Sequence, residues 1–403
     1  MTSVSPTSSS VFGATLLSAA LLLPSMQFAY AETAPERGVV SLKYLNYQDS
    51  QSADTPATAS LLSQDRIAVN ALSIMTVMPV AGDWSIGVSF IEDSVTGASP
   101  AYHSSGFPAS KSDAKSGASG ELRHAADIQL TRYFPQGSVT AGTSYSKESD
   151  YVSRSCSLQG SLSTEDKNTT VTLGGSFTDD SIDLNKPNVV FSKQQLAEEK
   201  KHVVAALVGV TRVLTKQDIV QFNLGYSNGN GYYTDPYKDP DQRPRDRDSF
   251  TALGRWNHHF DGTDGTARLS YRYYSDTFGI RAHTLDAEYV QPLHHGWTLT
   301  PLLRLYTQSQ ADFYFTVAEE KFSGTIPQPP TTEPYYTEDQ RLSAFGALTF
   351  GLKVSKQLNP DWLVDLKIEK YQQRDEWSLS GSGDPGLASF HARSIQIGLS
   401  RKI

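Results

Sequence analysis

Alternation of apolar and polar side chains at every second residue constrains this chain more than any other feature. Trp84, Ile86, Val88 and Phe90 fall on one side of an extended segment, and Ser85, Gly87 and Ser89 on the other. The same period recurs at Ala267, Leu269, Tyr271 and Tyr273 against Arg268, Ser270, Arg272 and Tyr274. It returns at Trp362, Val364, Leu366 and Ile368 against Leu363, Asp365, Lys367 and Glu369. A period of two belongs to β-strands whose faces meet different surroundings. It predicts strands near 38–48, 65–79, 84–93, 123–134, 138–148, 151–163, 169–178, 201–214, 219–228, 248–260, 266–276, 281–291, 297–314, 339–356, 362–376 and 389–403.

The connections give these strands an orientation. Links after even-numbered strands are short and rich in turn formers: VAGD, PQG, TEDKN, TKQD, DGTDG, PLHHG and NPD. Links after odd-numbered strands include long polar stretches at 94–122, 179–200, 229–247 and 315–338. Short periplasmic turns opposite long extracellular loops characterise outer-membrane barrels. The expected fold is therefore all-β, an antiparallel transmembrane β-barrel of about sixteen strands. Trp84, Trp297 and Trp362 open strands just after short turns, and Phe134 and Phe260 close strands just before them, as an interfacial aromatic belt requires. An unpaired sheet edge is too costly in hydrocarbon, so the first strand is expected to pair with the last.

Residues 11–24 form an apolar run followed by Ala29 and Ala31 in an A-x-A arrangement, which predicts a signal peptide over 1–31 and a barrel domain over 32–403. The first ten residues depart from the usual pattern in carrying no Lys or Arg. With a single cysteine, Cys156, an intramolecular disulfide framework is excluded. The formal charge of −8 argues against a nucleic-acid partner.

Several strings carry a family resemblance: IEDSVTGASPAY at 91–102, SKESDYVS at 146–153, DKNTTVTLGGSFTDD at 166–180, NGYYTDPYK at 230–238, RPRDR at 243–247, RLSAFGALTFGLK at 341–353 and YQQRDEW at 371–377. In order and spacing the chain resembles, over nearly all its expected mature length, the outer-membrane protein family called domain of unknown function 3570. The resemblance implies a barrel in the outer membrane of a Gram-negative bacterium and brings no established activity. Members tend to be encoded near flavin-attachment and thioredoxin-like proteins, so it also implies a possible periplasmic redox or flavin-bearing partner. The last strand, HARSIQIGLSRKI, resembles the C-terminal signal read by the barrel-assembly machinery. It departs from that signal in ending on Ile403 and in placing Arg401 outward, where a long stem can snorkel.

If the apolar face meets outer-membrane lipid, the other face lines a lumen. One expected wall is hydroxylic: Gln129, Thr131, Ser138, Thr140, Ser153, Ser155, Ser157, Thr170 and Thr172. The other is ionic: Arg255, Arg268, Arg272, Asp286, Glu288, Arg304, Lys353, Asp365, Lys367 and Glu369. Such a wall can form a charge-selective constriction. The plainer reading is mutual neutralisation through Arg–carboxylate pairs. A loop cluster of Tyr232, Tyr233, Asp235, Tyr237, Arg243, Arg245 and Arg247, with Asp239 and Asp241, has oxygens suited to calcium but no calcium-loop spacing. Pairing inside an inward-folded loop is the expectation.

His258–His259 and His294–His295 are adjacent pairs, which on a strand point to opposite faces, so no metal site is expected from them. Cys156 falls on the lipid-facing register beside Arg154 and Leu158. No cofactor motif is present. The expected role is a non-enzymatic channel, or a sheath or scaffold for a partner. The alternative is an outer-membrane hydrolase with a Ser/His site, for which nothing marks one serine among many.

Overall fold

A computed structural model of the chain describes residues 33–51, 65–97, 121–183, 198–235, 241–319, 321–323, 326–328, 333–381, 383–385, 387 and 389–403. Sixteen strands close into one antiparallel barrel, each bonded to its sequence neighbour. They are β1 Val39–Gln51, β2 Asp65–Pro79, β3 Trp84–Gly97, β4 Glu121–Phe134, β5 Gly137–Lys147, β6 Tyr151–Ser163, β7 Thr169–Asp183 and β8 Glu198–Val213. The second half comprises β9 Asp218–Gly231, β10 Asp246–Phe260, β11 Gly265–Asp276, β12 Arg281–Pro292, β13 Trp297–Gln308, β14 Phe345–Gln357, β15 Trp362–Arg374 and β16 Phe390–Lys402. Closure runs from Val39 opposite Lys402 to Gln51 opposite Phe390. Among the described residues no helix is long and apolar enough to cross a membrane.

Every barrel strand carries large apolar side chains that remain exposed, from Leu42 on β1 to Ile397 on β16. An apolar belt continuous around a protein has no counterpart on a water-soluble surface and matches hydrocarbon. The inner face carries a buried apolar cluster of Leu45, Val69, Ala71, Ile91 and Ala125 on β1–β4, and elsewhere is mostly polar, its hydroxyls pairing across strands. Thr131 and Thr140 hydroxyls meet at 2.9 Å, Ser138 and Ser161 at 2.8 Å, Ser163 and Thr170 at 2.8 Å, and Ser41 and Ser400 at 2.9 Å across the closing seam. Cross-strand hydroxyl pairs of this kind satisfy groups that cannot be left unpaired in a sheet.

At the turn end each predicted tryptophan is covered by a cation from the neighbouring strand. Arg132 lies 5.4 Å from the Trp84 ring, Lys356 lies 4.9 Å from Trp297, and Arg401 lies 5.1 Å from Trp362. Arg401 is thus the partner of an interfacial ring, which gives its outward position a physical cause.

Several strands run a few residues further than expected, among them β3 to Gly97 and β7 to Asp183, and two boundaries fall well short. The strand predicted over 297–314 stops at Gln308, and the one predicted over 339–356 begins at Phe345. Ala311 and Leu342, whose positions continue the alternation, instead form a buried cluster with Tyr314, Tyr233, Phe278 and Ile280 at the loop end. The predicted signal peptide over 1–31 lies outside the described residues.

The face assignment is testable on consecutive residues. Phe177 is exposed on the outer face opposite Cys156, while Ser176 faces inward opposite Ser157. Phe177→Arg is expected to destabilise the barrel in lipid vesicles by about 2–4 kcal/mol, the cost of a cation near the bilayer midplane. Ser176→Arg is expected to cost far less. Denaturant unfolding of the two variants checks this, and equal effects would reject the assignment.

Candidate functional site

The strand register brings the predicted ionic residues to one inner wall spanning β10 to β15. On β10, Arg255 stands opposite Ser270 of β11. Across the next seam Arg268 faces Glu288, Ser270 faces Asp286 and Arg272 faces Thr284 of β12. Asp286 in turn faces Arg304 of β13 and accepts from its Nε at 2.5 Å. The Arg268–Glu288 pair is looser at 3.8 Å. Arg272 donates to the Thr284 hydroxyl at 3.4 Å.

Further round the wall, Lys353 and Lys367 sit directly opposite one another. Like charges so placed repel. Asp365, 3.8 Å from Lys353, and Glu369, 2.9 Å from Lys367, offset them. Lys43, buried on β1, is a seventh cation, missed in the sequence, and it lies in the field of Asp365. Gly398 lies between these two positions, opposite Lys43 on one side and Asp365 on the other. A Cβ there would collide with the Asp365 carboxylate, so its missing side chain makes the room that carboxylate occupies.

Inward side chains differ along the barrel axis. Arg268 and Arg304 side chains are 45% and 39% exposed, and Arg272 and Ser157 are also exposed. At the loop end the inward residues Asp180 and Lys201 are fully buried and 3.1 Å apart. The Lys201 ammonium also lies over the rings of Tyr151 and Tyr233, at 5.6 and 5.5 Å. Tyr233 belongs to the loop after β9, so this loop turns into the barrel mouth. Glycine permits it: a Cβ on Gly229 would collide with the Tyr233 hydroxyl. Likewise Phe278, from the β11–β12 connection, packs 4.5 Å from the inward Arg247, whose guanidinium holds Asp276 at 2.5 Å.

Buried ion pairs tie these loops to one another. A two-stranded ribbon joins Asp241–Gln242, in the β9–β10 loop, to Tyr336–Thr337, in the β13–β14 loop. Arg243 donates to Asp241 at 3.0 Å and across to Asp339 at 2.8 Å. Arg341 closes the network through Asp339 and Asp235. Tyr314 adds the last loop by donating to Asp384 at 2.5 Å. We call this assembly the loop-end cap.

Of the predicted loop cluster, Tyr233, Asp235 and Arg243 enter the cap. Tyr232 is half-buried beside it, Arg245 pairs outside with Glu199, and Arg247 serves the inner wall. Tyr237 lies outside the described residues. The expected pairing within a single loop is corrected in one respect: the partners of Arg243 and Asp235 include Asp339 and Arg341 of another loop. Asp339 and Arg341 fall in the predicted strand over 339–356, but Asp339 caps a short 3-10 turn, accepting from the Arg341 amide, and that capping residue is the signal the sequence offers.

His258 points outward to Asp218 and His259 meets Thr266. The other histidine pair lies on a turn, His294–Gly296, where strand alternation does not apply. Cys156 is exposed on the outer face.

Comparison with known proteins gives a family model, described as "Protein of unknown function (DUF3570)", that matches residues 13–393. No curated protein matches the chain. Among solved structures, CdiB from Acinetobacter baumannii is 8% identical with a TM-score of 0.47, the match covering 89% of this chain and 60% of CdiB. This chain therefore spans less than two thirds of CdiB. A BenF-like porin from Pseudomonas fluorescens Pf-5 is 9% identical with a TM-score of 0.45, over 91% of this chain and 98% of the porin. Pseudomonas aeruginosa OccK9 (OpdG) is 10% identical with a TM-score of 0.42, over 92% and 100% respectively.

The cap contains one group set to titrate near neutrality. Burial pushes the Asp241 carboxyl from 3.8 up to about 6, Arg243 pulling it down and Asp235 adding to the rise. The closed cap therefore holds a proton that an opened, solvated cap releases. Its stability is highest below the solvated value, falls as pH rises through about 4 to 6, and is flat above that. Hydrogen exchange at the Asp235 and Arg243 amides, corrected for intrinsic rate, is expected to show stronger protection at pH 5 than at pH 7. Asp241→Asn is expected to remove the difference. Protection that grows with pH would reject this account.

Proposed function

This chain belongs to the family of proteins of unknown function called DUF3570, and from that premise we propose that it is a gated, non-enzymatic conduit for small solutes in the outer membrane of a Gram-negative cell. An N-terminal export signal delivers it, and lipid is the partner of its apolar belt. The observation that carries the reading is the contrast along the inner wall. Arginines of the middle wall reach solvent inside the barrel, whereas inward residues at the loop end are buried under interlocked loops.

A barrel of this strand number has room for a water-filled channel. A purely structural sheath has no use for exposed charge on its inner wall. The cap supplies the gate because it depends on a few buried charge pairs. Removing one partner from a buried charge pair costs about 3–5 kcal/mol. Arg341 is the best point of attack, since it is bonded to both Asp235 and Asp339, the second of which it shares with Arg243.

Planar bilayers test the reading. Wild-type protein is expected to open rarely, and Arg341→Gln to raise the open-to-closed ratio by about a hundredfold or more, the population shift that about 3 kcal/mol produces. Heat-modifiable migration on a gel verifies that the variant barrel is folded. Silence from both folded proteins would overturn the conduit, and identical opening by both would overturn the gate.

A further inference from the structure

We propose that Arg255, Arg268 and Arg272 form a discrete binding site for a small oxyanion, a carboxylate or phosphate group, centred on Ser270. The proposal rests on the conduit reading in one respect only, that solutes reach the middle of the inner wall.

The register builds the site. Arg255 is directly opposite Ser270, and Arg268 and Arg272 flank that serine on the same face of β11. Diagonal neighbours across a strand pair lie about 7–8 Å apart, within reach of long side chains. Three arginine positions therefore surround one short hydroxyl. Towards β9 the position beside Arg255 is the neutral Gln221. Towards β12 stand Asp286 and Glu288, whose field Arg255 shares.

The pairing of Arg268 and Arg272 differs from that of arginines elsewhere in the barrel. Arg123 holds Asp93 at 2.7 Å, Arg243 holds Asp339 at 2.8 Å and Arg247 holds Asp276 at 2.5 Å, each arginine side chain being at most 10% exposed. Those are structural pairs, desolvated and in contact. Around Ser270 the nearer carboxylate, Asp286, is already engaged by Arg304, and Glu288 stands off at 3.8 Å from an arginine that is 45% exposed. Arg272 has a hydroxyl for its hydrogen bond. Clustered guanidinium groups repel, and the exposed Arg268 and Arg272 retain donors in a planar fork that fits two oxygens of one anion. A carboxylate or phosphate among them relieves the repulsion and uses those donors, with the Ser270 hydroxyl as a further donor.

Isothermal titration of folded, detergent-solubilised protein with inorganic phosphate, and separately with succinate, tests the site without reading conductance. Saturable binding of either anion is expected, weakening with added salt. The responding probe identifies whether phosphate or carboxylate is taken. Arg255→Gln and Arg272→Gln are each expected to lower affinity at least tenfold, Arg255→Lys to lower it less, and Glu288→Gln to leave it equal or raise it. Heat-modifiable migration confirms that each variant is folded. Absence of saturable binding in the wild type, or unchanged affinity in both glutamine variants, overturns the site. A protein that binds phosphate but is silent in bilayers keeps the site and loses the conduit; one that conducts without binding does the reverse.

Discussion

Hydrogen-bond closure between the first and last strands is the constraint on which the rest of this molecule depends. In hydrocarbon there is no water to satisfy an open edge, so β1 must find β16 along its whole length. It does so over thirteen paired positions, from Val39–Lys402 to Gln51–Phe390. Closure fixes an inside and an outside, and strand periodicity then assigns every side chain to one of them. The lipid-facing belt, the hydroxyl pairs and the ionic wall are consequences of that single assignment. Ser41 and Ser400 meet as a buried pair across the seam, so the inner surface is as continuous there as at any consecutive pair.

The two ends of such a barrel face different problems. Turns such as Thr164–Asn168 are satisfied locally, with Asp166 accepting from the Asn168 amide at 3.1 Å. Long loops cannot be satisfied this way and must bury side chains somewhere. Here the loops after β9, β11 and β13 bury side chains in the mouth, with Gly229 leaving space on the inner wall. Gly229 admits Tyr233, which then covers Lys201, and the ammonium gains two aromatic faces along with Asp180. A buried charge of this kind is tolerable only because its partners are in place. The cap is therefore cooperative, since loosening one loop uncovers charges on strands that the others depend on.

Much of the barrel was legible because alternation is a local signal. Sixteen strands, their order and the short turns at one end follow from it, and the same register puts Arg268 and Asp365 on the inner face. The signal failed where an apolar loop imitates a strand. Ala311 and Phe313 extend the alternation after Gln308, yet their apolar surface packs in the loop-end cluster. Ion-pair partners were illegible for a different reason. Arg243 and Asp339 are 96 residues apart, and Asp235 and Arg341 are 106 apart, so only the folded loops bring them together. Lys43 was illegible because it lies two strands from Asp365 by way of the seam, with Gly398 between them, so only the closed barrel brings the two charges into one field.

The barrel thus contains two kinds of charged contact with opposite physical logic. Burying an ion pair costs desolvation that Coulomb attraction and hydrogen bonds must recover, so pairs at the loop end are short, enclosed and multiply bonded. A charge left in contact with water pays little of that cost and gains little from a partner. Exposed arginines on the middle wall are therefore poor devices for holding strands together, work that the backbone ladder already does. What they retain is unspent hydrogen-bonding capacity and a local positive field. In an enclosed lumen that field acts on whatever enters, and it is screened less than on an open surface. Geometry that is weak as structure is for the same reason available for binding.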